Sequence, residues 1–237
     1  MKNFYLLIVG FLVSFQVIQS QELNYSIGLK GGANYAMGGE IRGSKSASTY
    51  WGGTVQGEGA LGFHGGAFFE IGFGRFFLRP EVVYSSLEQE FQIPLREDNT
   101  VFSVETFTVP LLVGINVYGP VDIYAGPVYS NILSTNLEGL EDQDREIVVQ
   151  STPINAQAGI KAEFGRFGLD VRYEHSLSTE ERQNLSFDNN YFGGPIGGAN
   201  KGWFNDARLN QVIVSLTFKI FGSGLNEGRR RGGGCYF

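Results

Sequence analysis

The sequence predicts an all-β chain folded as an eight-stranded antiparallel up-and-down barrel, on three observations. Eight windows, each of about 9–11 residues, alternate between apolar and polar side chains, the period of a strand with two unlike faces. The connections between windows alternate between two-residue turns and long loops. A short pattern also recurs at spacings of 45 and 46 residues, as Phe73-Gly74-Arg75-Phe76, Tyr118-Gly119-Pro120-Val121 and Phe164-Gly165-Arg166-Phe167.

In chain order, the first strand offers Tyr25, Ile27, Leu29, Gly31, Ala33 and Tyr35 on its apolar face. The second offers Phe63, Gly65, Ala67, Phe69, Ile71 and Phe73, and after Gly74-Arg75 the third offers Phe76, Leu78, Pro80, Val82 and Tyr84. The fourth is the most regular, with Phe107, Val109, Leu111, Val113, Ile115 and Val117. Gly119-Pro120 leads to the fifth, with Val121, Ile123, Ala125, Pro127 and Tyr129. The sixth carries Ile154, Ala156, Ala158, Ile160, Ala162 and Phe164, and Gly165-Arg166 turns it into the seventh, with Phe167, Leu169, Val171 and Tyr173. The eighth carries Val212, Val214, Leu216, Phe218 and Ile220. A glycine-led two-residue turn between alternating windows is a hairpin signal. Pro80, Pro110 and Pro127 fall inside strands, where each removes a ladder donor, so bulges or bends are expected there. The long loops are 36–61, 86–105, 130–153 and 176–208. A propeller has a similar repeat length, but its blades need four short strands per unit.

The apolar face carries no Asp, Glu, Lys or Arg, and its one ionisable residue is His175 at a strand end. The opposite face carries Lys30, Glu70, Arg79, Glu81, Asp122, Lys161, Glu163, Asp170, Arg172, Glu174 and Lys219, five basic against six acidic. A soluble carrier barrel would turn the apolar face inward around a greasy ligand. An eight-stranded barrel, however, has an interior just wide enough to be filled by side chains. The charged face is interspersed with Gly28, Gly32, Gly66, Gly72, Gly114, Gly126, Gly159 and Gly168, which leave room for long ionic side chains. Phe73, Phe76, Phe164 and Phe167 mark one end of the strands, and Tyr35, Tyr84, Tyr129 and Tyr173 the other, as two interfacial girdles would. The expectation is therefore a transmembrane barrel with paired ions in its lumen, short turns in the periplasm and long loops outside.

Lys2, an apolar run over residues 4–13 and a polar stretch ending at Ser20 have the order of a secretory signal peptide. Residues 1–20 are assigned to it, 21–221 to the barrel and 222–237 to a flexible tail. The apolar run is short for a bilayer-spanning anchor, and no cysteine follows the cleavage point to carry a lipid. Cys235 is the single cysteine, so no internal disulfide is available. A formal net charge of −6 argues against a nucleic-acid partner.

The segments Gly28-Leu29-Lys30-Gly31-Gly32-Ala33-Asn34, Val109-Pro110-Leu111-Leu112-Val113-Gly114 and Tyr124-Ala125-Gly126-Pro127 resemble the PorT-like outer-membrane β-barrel family of Gram-negative bacteria, whose architecture is the small barrel of the OmpA and OmpX type. The resemblance extends over residues 23–221 and implies an integral outer-membrane barrel without enzymatic activity. It also implies an assembly signal at the aromatic end of the last strand, here Phe221, recognised by the barrel-assembly machinery. Arg229-Arg230-Arg231 and a glycine run continue the chain beyond that point.

Candidate chemistry is sparse. His175 with Ser176 and Ser178 resembles a lipid-facing esterase only loosely, because the serines have the opposite parity and point inward. Glu141, Asp142, Asp144 and Glu146 make an acidic loop without the glycine-containing pattern of a calcium loop. His64 falls on the lumen face without a second His or Cys, so a hydrogen-bonded histidine is expected rather than a metal ligand. No cofactor or metal is expected. Tyr191, Phe192, Trp203 and Phe204 in loop 179–207 are candidates for binding an extracellular protein or surface ligand, with loop 36–61 beside them. The expected role is structural or adhesive, with membrane lipids and lipopolysaccharide as surroundings. A small-solute pore is the alternative, and a lipid-modifying enzyme ranks behind both.

Overall fold

The computed structural model describes residues 23–44, 52–94, 98–140, 147–149, 152–178, 183–187, 200–208 and 210–223. They form thirteen strands: β1 Leu23–Met37, β2 Glu40–Gly43, β3 Thr54–Gln56, β4 Glu58–Gly59, β5 Leu61–Phe73, β6 Phe76–Phe91, β7 Thr100–Tyr118, β8 Val121–Leu137, β9 Ile154–Phe164, β10 Phe167–Ser176, β11 Gln183–Phe187, β12 Asn200–Asp206 and β13 Asn210–Gly222. Eight of them, β1, β5 to β10 and β13, pair antiparallel with their chain neighbours. The β6–β7 and β1–β13 pairings close the ring. The fold is a closed eight-stranded barrel, as the alternation predicts.

Three two-residue turns join β5 to β6, β7 to β8 and β9 to β10. Their first residues, Gly74, Gly119 and Gly165, have φ of +63°, +52° and +63°, a region that a side chain at Cβ disfavours. The apolar face points outward. Val113 is 55% exposed and Leu216 70% exposed, whereas the inward ions are buried. On β7 the outward apolar run from Phe107 to Val117 spans about 25 Å of membrane normal, taking ~3.3 Å per residue and a tilt of roughly 40°. That matches the apolar band of an outer-membrane barrel.

The prolines do not produce bulges. Pairing between β6 and β7 passes from Pro80↔Leu111 to Val83↔Thr108, and between β7 and β8 from Pro110↔Val128 to Val113↔Ala125. Ladder pairs are lost beside each proline, but the register is unchanged. The register shifts lie towards the strand ends instead, at Ile27/Gly28, Glu105/Thr106 and Asn116/Tyr118, where an extra residue tightens the local twist.

Segment 86–105 is mostly strand rather than loop. Beyond Tyr84 the two faces of β6 exchange character, with Ser86, Glu88 and Glu90 outward and Leu87, Gln89 and Phe91 inward. On β7, Ser103 and Glu105 face outward while Phe102 and Val104 face inward. The exchange marks where the wall leaves the hydrocarbon: water now lies outside, so apolar side chains turn in. Segments 36–61 and 176–208 are also partly folded. Four of their strands make a sheet in the order β11-β12-β2-β3, while β4 pairs with β6 of the barrel wall.

This sheet packs against the tall β6–β8 wall through a buried cluster that includes Ile41, Phe91, Phe102, Leu137, Leu185, Phe187 and Phe204. The Phe204 ring lies 5.6 Å from that of Phe91 and 5.2 Å from that of Phe102. Phe204→Ala is expected to destabilise this outer cap by about 3–5 kcal/mol. Proteolysis of the outer sheet in detergent should then begin at lower denaturant, while heat-modifiable gel migration of the barrel persists. Loss of both together would show that cap and barrel unfold as one unit.

Candidate functional site

The chemistry of this chain is concentrated in the lumen. Inward positions on seven strands bring the eleven ionic residues together: Lys30 from β1, Glu70 from β5, Arg79 and Glu81 from β6, Asp122 from β8, Lys161 and Glu163 from β9, Asp170, Arg172 and Glu174 from β10, and Lys219 from β13. All are buried, the most accessible at 9%. They divide into two groups.

The group nearer the outer end centres on Glu81 and Arg172. Glu81 lies 3.0 Å from Lys30 Nζ, and 2.9 Å from both Arg79 Nε and Arg172 Nη1. Arg172 uses all five of its N–H donors. Nε and Nη2 donate to Asp170 at 3.1 and 2.6 Å, Nη1 and Nη2 to Glu81 at 2.9 and 3.2 Å, and Nη1 to Gln157 Oε1 at 3.0 Å. Tyr124 Oη donates to Asp170, and the guanidinium carbon of Arg172 lies 5.2 Å from the Tyr124 ring. Glu174 is held differently, accepting from the amides of Asn155, at 2.6 Å, and Gln157.

The group nearer the short turns is a chain of alternating charge. Lys161 donates to Glu70 and, at 3.0 Å, to Glu163, and it stands 3.6 Å from Asp122. Lys219 lies 2.7 Å from Glu163 and 3.7 Å from Glu70. The Lys161 ammonium also sits 4.0 Å from the Phe77 ring centroid.

Arg79 joins the two groups, 2.9 Å from Glu81 and 3.8 Å from Glu70. It does so by proximity, since none of its N–H groups is aligned for a hydrogen bond to either. Its guanidinium lies over the Phe68 ring at 3.9 Å. Close fit on this wall depends on glycine: a Cβ at Gly114 would stand 2.2 Å from the Phe77 ring.

Other predicted residues separate. His64 Nε2 is 2.8 Å from Ser215 Oγ inside the lumen. His175 faces outward, stacked on Tyr173 with centroids 6.3 Å apart, while Ser176 and Ser178 face inward with their hydroxyls 3.3 Å from each other. No His–Ser pair therefore forms on the lipid side in this segment. Trp203 lies half-buried on the solvent side of the outer sheet. Phe204, grouped with it as a loop-binding candidate, is instead 1% exposed in the cap core, because neighbouring strand residues point to opposite faces. Tyr191, Phe192, Glu141, Asp142, Asp144, Glu146, Cys235, the signal segment and the tail beyond residue 223 lie outside the described residues. Among the described residues, no group of three or more His, Cys, Asp or Glu is placed to hold a metal ion.

Glu81→Gln leaves three cations without their shared carboxylate and is expected to cost about 3–5 kcal/mol. Glu174→Gln removes only amide-donated bonds and should cost less, about 1–3 kcal/mol. Equilibrium urea unfolding in lipid vesicles would measure both. The reverse order would contradict the assignment of Glu81 as the centre of the network.

The family described as "Outer membrane protein beta-barrel domain" matches residues 18–182. Among solved structures, the outer membrane protein OprG from Pseudomonas aeruginosa is similar at 10% sequence identity and a TM-score of 0.46, over 84% of this chain and 96% of that one. No curated protein matches. With a closed eight-stranded ring, an outward apolar band and a family match over most of its length, the chain belongs to the outer membrane protein β-barrel domain family and resides in the outer membrane of a Gram-negative bacterium.

Proposed function

We propose that this protein is a closed, non-enzymatic barrel that serves the cell surface through its outer sheet, in a structural or adhesive role. The observation that carries the reading is the stacking of two barriers along one axis. Paired ions fill the membrane section of the lumen, and the apolar cluster of Ile41, Phe91, Phe102 and Phe204 covers its outer end. Between them is a cavity lined by Leu87, Val104, Asn155, Glu174 and Gln211 with room for about one water molecule. A hydrated solute would have to break both layers to pass.

Within the family, the segments at Gly28 to Asn34, Val109 to Gly114 and Tyr124 to Pro127 support a PorT-like placement. Export by the signal peptide at residues 1–20 and insertion by the barrel-assembly machinery belong to the same reading. Lipopolysaccharide would then surround the outer rim, and an extracellular ligand would meet the outer sheet first.

Planar-bilayer recording separates this reading from a small-solute pore. The wild-type protein is expected to give no resolved conductance steps. Steady conductance steps from the folded wild-type protein would establish a pore instead.

A further inference from the structure

The lumen holds six acids against five bases, and their pairing locates the surplus charge. Glu70, Glu81, Asp122, Glu163 and Asp170 each stand at ion-pair distance from a lysine or arginine. Glu174 has no such cation among the described residues, although it is only 3% exposed. Asn155 Nδ2 donates to its Oε1 at 2.6 Å and Gln157 to its Oε2, with the Gln211 amide as a third donor. Amide dipoles solvate a carboxylate but do not cancel its charge, and an uncancelled charge between lipid and an apolar cap is costly. Glu174 also lines the cavity beneath the cap, where Thr106, Ser130, Asn155, Ser176 and Gln211 add further side-chain oxygens. Asn155 spends its amide nitrogen on Glu174, which leaves Oδ1 buried without a hydrogen-bond partner.

We propose that this cavity is a site for one dehydrated alkali cation, Na⁺ or K⁺, held by the Glu174 carboxylate and the Asn155 carbonyl oxygen. The hydroxyls of Thr106, Ser130 and Ser176 complete the oxygen set, since a hydroxyl that donates elsewhere still has lone pairs to offer. A carboxylate accepts at about four lone-pair positions, so three amide donors leave one for the ion. Size and charge both select a monovalent ion. The cavity has room for about one water molecule, K⁺ is close to water in size, and Na⁺ is smaller. Calcium sites gather several carboxylates, and magnesium keeps several of its waters, so neither suits one carboxylate in so small a space. A single positive charge also brings the lumen's six acids and five bases into balance. The site lies inside the wall and is independent of the surface role proposed above.

The test is urea unfolding of the full chain in detergent micelles, in NaCl, KCl or choline chloride at constant ionic strength. Choline is too large for the cavity and serves as the reference. The wild-type midpoint is expected to be higher in Na⁺ or K⁺ than in choline, and to climb with the concentration of that ion, as binding to the folded state requires. The salt that gives the larger rise identifies the ion held. Glu174→Gln removes the surplus charge and should give one midpoint in all three salts. Thr106→Val keeps the shape of the wall but removes one oxygen, and should need roughly tenfold more cation for the same rise. Should Glu174→Gln fail to refold, Thr106→Val carries the comparison alone. A wild-type midpoint that is the same in all three salts overturns the inference, and a proton or a water then meets Glu174. A salt dependence of equal size in the wild type and in both variants also overturns it, because that response belongs to the protein surface.

Discussion

Taking eleven ionisable side chains out of water inside a ring of eight strands is tolerable only where each charge meets an opposite charge or well-placed amides. An isolated buried ion carries a desolvation penalty of several kcal/mol, which a single imperfect pair does not offset. Here Glu81 and Glu70 each stand against three cations, and Arg172 uses every N–H it has. Such sharing pins strand register as well. A slip of one residue on β10 would turn Asp170, Arg172 and Glu174 towards lipid and bring Leu169, Val171 and Tyr173 into the lumen. The network and the apolar band thus specify one closure of the barrel from opposite sides.

Much of this was legible in the chain because both constraints share a period of two. The inward set of ions follows from alternation alone, and the short turns announce themselves by Gly74, Gly119 and Gly165. Which carboxylate meets which cation was not legible. Arg172 reaches Glu81 across 91 positions of sequence, and that distance is set by the curvature of the wall rather than by any local pattern.

The outer cap was missed for a different physical reason. Segments 86–91 and 100–104 alternate as regularly as the membrane strands, but in the opposite phase, because the solvent outside changes from lipid to water. A reading that follows only outward apolar residues ends the strand at Tyr84 and starts the next at Phe107. Searching for alternation whose phase inverts would have found both extensions. Trp203 and Phe204 show the same limitation on a smaller scale. Adjacent aromatics resemble a single binding patch in sequence, yet on β12 one faces solvent and the other fills the cap core.

The pairing of β2 with β12 has a consequence for biogenesis. These two strands follow and precede β1 and β13, the first and last staves of the ring, so the cap prolongs the seam where the chain's ends meet. Contacts of such long sequence separation carry the largest loop-closure entropy and form late. An unsealed intermediate would therefore leave Phe91 and Phe102 uncovered at its outer end, and only a finished molecule would hide them. The cap is in that sense a latch that sets when the last stave locks to the first.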